Sequence, residues 1–143
     1  MPITYQVDLP RDLIRTQARG SVTPDEVARH LRALELDPLF HKPMDVLLDL
    51  TACTSLPDRG QLAGVAHQLS RLGGRERFVR CAIVAERTAM YGMTRMFEVL
   101  AEEQFAATQT FRKRRDAEVW LSEGKAAVRG RNPVVPGRAL SIS

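Results

Sequence analysis

The sequence is short of several things, and each shortage removes a class of function. Only two of its 143 residues are cysteine, Cys53 and Cys81. They stand at no framework spacing and beside no pair of histidines, so neither a disulfide scaffold nor a zinc module is expected. Two reduced thiols fit a cytoplasmic protein. No stretch approaches the roughly 20 apolar residues of a membrane span, and the N-terminus lacks a basic region followed by an apolar one. There is no Gly-rich phosphate loop, no Gly-x-Ser-x-Gly elbow and no metal-spaced set of His or Cys. No catalytic group, metal or cofactor is expected, and the chain reads as a non-enzyme.

Acidic side chains are missing from the end of the chain. Residues 125–143 carry Lys125, Arg129, Arg131 and Arg138 and no carboxylate side chain. The net charge is +4, and subtracting the tail's four cations from 21 leaves 17 basic side chains against 17 acidic. The basic character therefore belongs to a tail, and nucleic-acid binding by the domain loses its main electrostatic support. This tail has Gly130, Asn132-Pro133 and Pro136-Gly137 without periodicity, and is expected to be flexible. Residues 1–124 are expected to form one domain, long enough to bury a core without staples.

What is present is an alternation of strand and helix signals. Asp45-Val46-Leu47-Leu48-Asp49-Leu50-Thr51 is a nearly continuous apolar run between turn signals, the pattern of a strand buried on both faces. Before it, Ile3 to Asp8 and Leu13 to Arg19 alternate with period two around Leu9-Pro10-Arg11-Asp12, predicting an antiparallel hairpin. Thr23-Pro24-Asp25-Glu26 combines a cap, a first-turn proline and a third-position glutamate, predicting a helix that Asp37-Pro38 stops. After the buried strand, a loop from Ala52 to Pro57 leads to a helix opened by Asp58 and closed by Gly73-Gly74. Phe78 to Ala85 reads as a strand, and Thr88 as the cap of a third helix with an apolar stripe of Met90, Met93, Met96, Phe97 and Leu100. Ala107 to Phe111 reads as an edge strand. Asp116 to Leu121, with the single tryptophan Trp120, reads as a short helix ended by Gly124. The order predicts an α/β fold: a mixed five-stranded sheet, an N-terminal antiparallel hairpin followed by parallel βα units, with four helices.

In such a sheet, the loops leaving the C-terminal ends of the parallel strands converge on one edge, where ligands bind. That edge would gather Thr54, Ser55, Asp58 and Arg59, then Arg87 and Thr88, then Arg112 at the head of a basic run. It suits an anion or an acidic partner. The plainer alternative is that Ser55, Asp58 and Thr88 cap helices while the arginines form a solvated face. Met90, Met93, Met96 and Phe97 offer a second site, for a small apolar ligand or for self-association. His30, His41 and His67 lie on different elements with no carboxylate at ligand spacing, and Glu102-Glu103 reads as decoration of a helix end. Cys53 reads as a buried small hydrophobe, with a reactive thiol as the alternative.

Several of these stretches together resemble the SpoIIAA-like, STAS-type family, in particular its bacterial STAS/SEC14-like branch. The resemblance covers residues 1–124. It is carried by Ile3-Thr4-Tyr5, Gly20 to Glu26, Leu48-Asp49-Leu50-Thr51, Ala82-Ile83-Val84, and Ala117 with Trp120-Leu121. It implies a non-enzymatic regulatory module that binds a protein partner or itself as a homodimer, or, through the SEC14-like label, a lipid-like ligand. Family members carry an Asp-Ser-Ser/Thr-Gly-type motif, phosphorylated at the start of the helix after the central strand. The matching positions are Pro57-Asp58-Arg59-Gly60. Gly60 fits, but neither Asp58 nor Arg59 is a phospho-acceptor, so the resemblance implies the fold without its switch.

Overall fold

The computed structural model describes residues 2–131 of the chain. Two strands, β1 (Ile3–Asp8) and β2 (Leu13–Gly20), form the expected antiparallel hairpin around a 3₁₀ turn at Leu9–Arg11. Then follow α1 (Pro24–Leu36), β3 (Met44–Cys53), α2 (Arg59–Arg71), β4 (Phe78–Val84), α3 (Thr88–Leu100), β5 (Ala107–Phe111) and α4 (Arg114–Arg131). The strands lie in sequence order in one sheet, and every pair after the hairpin is parallel.

Local chemistry explains where the first two helices begin. The Thr23 hydroxyl accepts from the Glu26 N–H, and the Glu26 carboxylate accepts from the Thr23 N–H, which satisfies two orphan donors at once. Asp58 and Gln61 repeat the exchange at α2, with both bonds at 2.8 Å. Helix α2 stops at Gly73, whose φ of 118° belongs to glycine. A Cβ there would stand 2.6 Å from the Arg77 Cγ.

The helices divide unequally between the two faces of the sheet. Three of them, α1 to α3, cover one face and bury the main core, in which Ile14, Met44, Phe78 and Ile83 meet Leu34, Leu69 and Phe97. On the other face α4 packs over β3, β4 and β5, closing a smaller core of Leu13, Leu47, Ala82 and Val84 under Ala117 and Leu121. Strand β3 thus has apolar layers on both sides, as its unbroken apolar run predicts. The hairpin half of the second face is left to side chains such as Thr4, Gln6, Arg15 and Gln17.

Three expectations need correction. Strand β3 runs on through Ala52 and Cys53, because β2 extends beside it: Arg19 pairs with Ala52 and Gly20 with Cys53. Those two residues belong to the sheet and not to the loop. Thr88 does not cap α3; it is the first helical residue, Arg87 takes the cap position, and no side chain bonds there. Helix α4 is neither short nor ended by Gly124, since it starts at Arg114 and continues to Arg131. A glycine inside a helix costs only about 1 kcal/mol, and the Lys125-Ala126-Ala127 that follows favours helix. The stretch 125–131, expected as flexible tail, is therefore helical, and residues 132–143 lie outside the described residues.

Candidate functional site

The C-terminal edge of the parallel strands is built by side chains that hold backbone. At the exit of β3, the Thr54 N–H donates to the Gly20 carbonyl at 2.8 Å. The Ser55 hydroxyl accepts from the Val22 N–H at 2.9 Å and donates to the Val22 carbonyl at 3.4 Å. The Cys53 thiol lies 3.6 Å from the Ser55 carbonyl, to which it donates. Arg87, arriving from the end of β4, donates from Nη2 to the Cys53 carbonyl at 2.8 Å. The loop between β3 and α2 is thus tied on one side to the start of α1 and on the other to the start of α3. Its far end is fixed by the capping box of Asp58.

Between these fixed ends Leu56 stays 49% exposed. Arg112, from the end of β5, reaches the same edge. Its guanidinium lies 4.5 Å over the ring of Tyr91, in the first turn of α3, and its Nη1 donates to the Glu86 carbonyl at 3.2 Å. Of the expected residues, the fold therefore brings Thr54, Ser55, Arg87, Thr88 and Arg112 to one edge. Asp58 and Arg59 stand at the other end of the exit loop. No hydrogen bond or ion pair among the described residues joins them to Arg87 or Arg112.

The methionine stripe is turned into the protein. Met90 and Phe97 are buried, and Met93 and Met96 are half-buried against the main core. Among the described residues, no group of three or more His, Cys, Asp or Glu is placed to hold a metal ion. His41, His67, Glu102 and Glu103 are exposed, while His30 is half-buried. Burial pushes the His30 imidazole down to about 4 and the Cys81 thiol up to about 12. Cys81 is therefore a thiol, not a thiolate, at any ordinary pH. No helix among the described residues is long and apolar enough to cross a membrane.

A second polar feature lies on the half of the sheet that α4 leaves uncovered. A groove of about 340 Å³ is lined by Thr4, Gln6, Arg15, Gln17, Asp49 and Arg114, among others. Two ion pairs run from strand to helix, Arg15 to Glu118 at 3.5 Å and Asp49 to Arg114 at 3.7 Å; Arg15 also pairs with Asp8 of β1 at 2.7 Å, and Arg114 with Glu118 inside α4 at 3.5 Å. The Arg15 guanidinium holds the Asp8 carboxyl below its usual range. Asp49 accepts from both the N–H and the hydroxyl of Thr51. Sequence reading did not single this cluster out, although the period-two spacing of Thr4 with Gln6 and of Arg15 with Gln17 already puts each pair on one face.

An antiparallel hairpin followed by parallel βα units, with three helices on one face and one on the other, is the SpoIIAA-like arrangement. No family model matches the chain, and no curated protein matches it. Among solved structures, it is similar to an uncharacterized protein of the DUF3478 family with a SpoIIAA-like fold, from Shewanella loihica PV-4. The two share 23% identity and a TM-score of 0.58, over 83% of this chain and 93% of the other. The expected fold is the one found: this chain has a SpoIIAA-like α/β fold.

Proposed function

We propose that this chain is a non-enzymatic interaction module that engages a protein partner through the edge where β3 hands over to α2. The observation that carries this reading is Leu56. A large apolar side chain stands half-exposed in a short loop whose two ends are pinned by Ser55, Arg87 and the Asp58 capping box. An apolar residue on a loop already held in one conformation loses little entropy on docking.

Binding is favoured over catalysis by what the polar groups of this edge do. The Ser55 hydroxyl is engaged with the Val22 backbone, and the Asp58 carboxylate with the N–H of Gln61. A protein partner is favoured over a lipid-like ligand because the methionine stripe already packs into the core. The carboxylate of Asp58 fills the N-cap of α2 permanently, so the module works without a phosphorylation switch at that position. The free thiols Cys53 and Cys81 fit a reducing, cytoplasmic setting.

The test is quantitative affinity capture with the wild type and with Leu56→Asp, combined with light scattering over a wide concentration range. A partner, or a second copy of the chain, that is retained by the wild type and lost by the variant is the expected result. A strictly monomeric wild type that retains nothing, or a variant that retains the same proteins, overturns the reading.

A further inference from the structure

Among the described residues some arginines are paired with acids, and others, such as Arg75 and Arg77, are anchored on backbone carbonyls instead. Arg15, Arg80, Arg95 and Arg114 each lie against a carboxylate. Arg87 and Arg112 do not: no ion pair among the described residues joins either to an acid, and both are exposed. Their positions are nevertheless fixed. Arg87 is anchored by one N–H on the Cys53 carbonyl, and Arg112 by one N–H on the Glu86 carbonyl and by its stack on Tyr91. A guanidinium has five N–H donors, so each keeps most of its fork free while its plane is held.

Both forks belong to the same turn of the fold. Arg112 bonds to the residue directly before Arg87, and Tyr91, under Arg112, donates its own N–H to the Arg87 carbonyl at 2.9 Å. Lys113 follows Arg112 in the chain, and the first turn of α3 contains no acid. Glu86 is the acid within this turn, and Arg112 reaches its carbonyl rather than its carboxylate.

We propose that the partner carries an acidic segment whose carboxylates dock on the free forks of Arg87 and Arg112, at the edge from which the Leu56 loop leaves. This rests on the interaction reading and names the chemistry of its partner. Two fixed, unpaired guanidinium planes match carboxylates bidentately and lose little freedom on binding. An ammonium in either place would supply charge alone.

The probe is a fluorescein-labelled peptide of alternating glutamate and leucine, titrated by fluorescence polarisation at physiological salt. Its glutamine counterpart and inorganic phosphate are run in parallel. The acidic peptide is expected to bind, and the glutamine peptide and phosphate are not. Arg87→Glu with Arg112→Glu is expected to weaken binding at least about tenfold, and Arg112→Lys several-fold despite its equal charge. Both positions are exposed, and an unchanged circular-dichroism melt verifies that each variant folds.

Equal binding of the glutamine peptide, full binding by Arg112→Lys, or no binding at millimolar peptide overturns the proposal. Phosphate binding at this edge without peptide binding overturns it in favour of a small-anion site. In the capture experiment, a partner lost with Leu56→Asp but kept by the double glutamate variant overturns the acidic-segment proposal and leaves the interaction module standing. A wild type that retains nothing removes the module itself.

Discussion

The guanidinium of Arg80 closes on the carboxylate of Asp45 at 2.6 Å, inside the layer between the sheet and α4. Asp45 is 4% exposed, and it also accepts from the Arg80 backbone N–H at 3.1 Å and from its Nε at 3.2 Å. Arg80 in turn donates to the Leu121 carbonyl at 2.9 Å, so one ion pair joins β3, β4 and α4.

Breaking this pair from one side strands a buried charge. Asp45→Ala is expected to cost about 3 kcal/mol. Removing both charges, in Asp45→Ala with Arg80→Leu, is expected to recover a large part of that loss, because the desolvation penalty disappears with the second charge. Urea denaturation of the single and double variants measures the difference. A double variant as unstable as Asp45→Ala alone would show that packing around Arg80, and not its charge, sets the cost.

His30 makes stability fall in mildly acidic solution. Its half-buried ring meets Tyr5 edge-on at 5.5 Å between centroids, and burial holds the folded pKa near 4 against 6.5 in the open chain. Below pH 6.5 the unfolded chain gains a proton that the folded protein refuses. The stability is thus complete above pH 6.5 and drains away as pH falls to 4, by on the order of 3 kcal/mol. His30→Gln is expected to flatten that limb. Urea midpoints measured between pH 7 and 4 check this, and an unchanged slope in the variant refutes it.

Tyr5 acts at the opposite end of the pH scale. Its hydroxyl donates to the Asp37 carboxylate at 2.6 Å, and burial, with that bond, pushes the phenol up to about 12. Between pH 10 and 12 the unfolded chain loses a proton that the folded one keeps, so stability falls as pH rises through that window. The same bond lowers the Asp37 pKa, which adds a loss in acid, below the ordinary carboxylate range. Tyr5→Phe is expected to cost about 1 kcal/mol at neutral pH and to remove the alkaline limb, read by thermal melts at pH 7, 10 and 12.

The capping box at α2 separates two roles of Asp58. Asp58→Ala is expected to cost about 1 kcal/mol, while Asp58→Ser, which also caps, stays within about 0.5 kcal/mol of the wild type. Chemical denaturation reads both. A serine variant as unstable as the alanine one would mean that the negative charge at the helix start, and not the hydrogen bond, carries the stabilisation.

Much of this architecture is written in short-range signals. Thr23-Pro24-Asp25-Glu26 starts α1 through contacts within four residues, and Gly73-Gly74 stops α2 because the backbone there needs positive φ. The period-two alternation of β1 and β2 and the unbroken apolar run of β3 depend only on how the sheet layers bury side chains. These determined the order of elements, the hairpin and the parallel sheet. At the candidate site, strand direction decides which loops share an end, and from this the sequence alone predicts one edge with Thr54, Ser55, Asp58, Arg59, Arg87, Thr88 and Arg112.

Tertiary structure decided the rest. Gly124 looks like a stop from its neighbours alone, yet a helix already begun at Arg114 carries through it. Whether Arg87 meets an acid or the Cys53 carbonyl, 34 residues away, depends on how β3 and β4 are staggered. The same is true of Asp45 and Arg80, which lie 35 residues apart and touch only because their strands are neighbours. Local propensity acts over a few residues through the backbone. The pairing of charges, the exposure of Leu56 and the anchoring of other arginines on backbone carbonyls arise from distances that exist only once the sheet has formed.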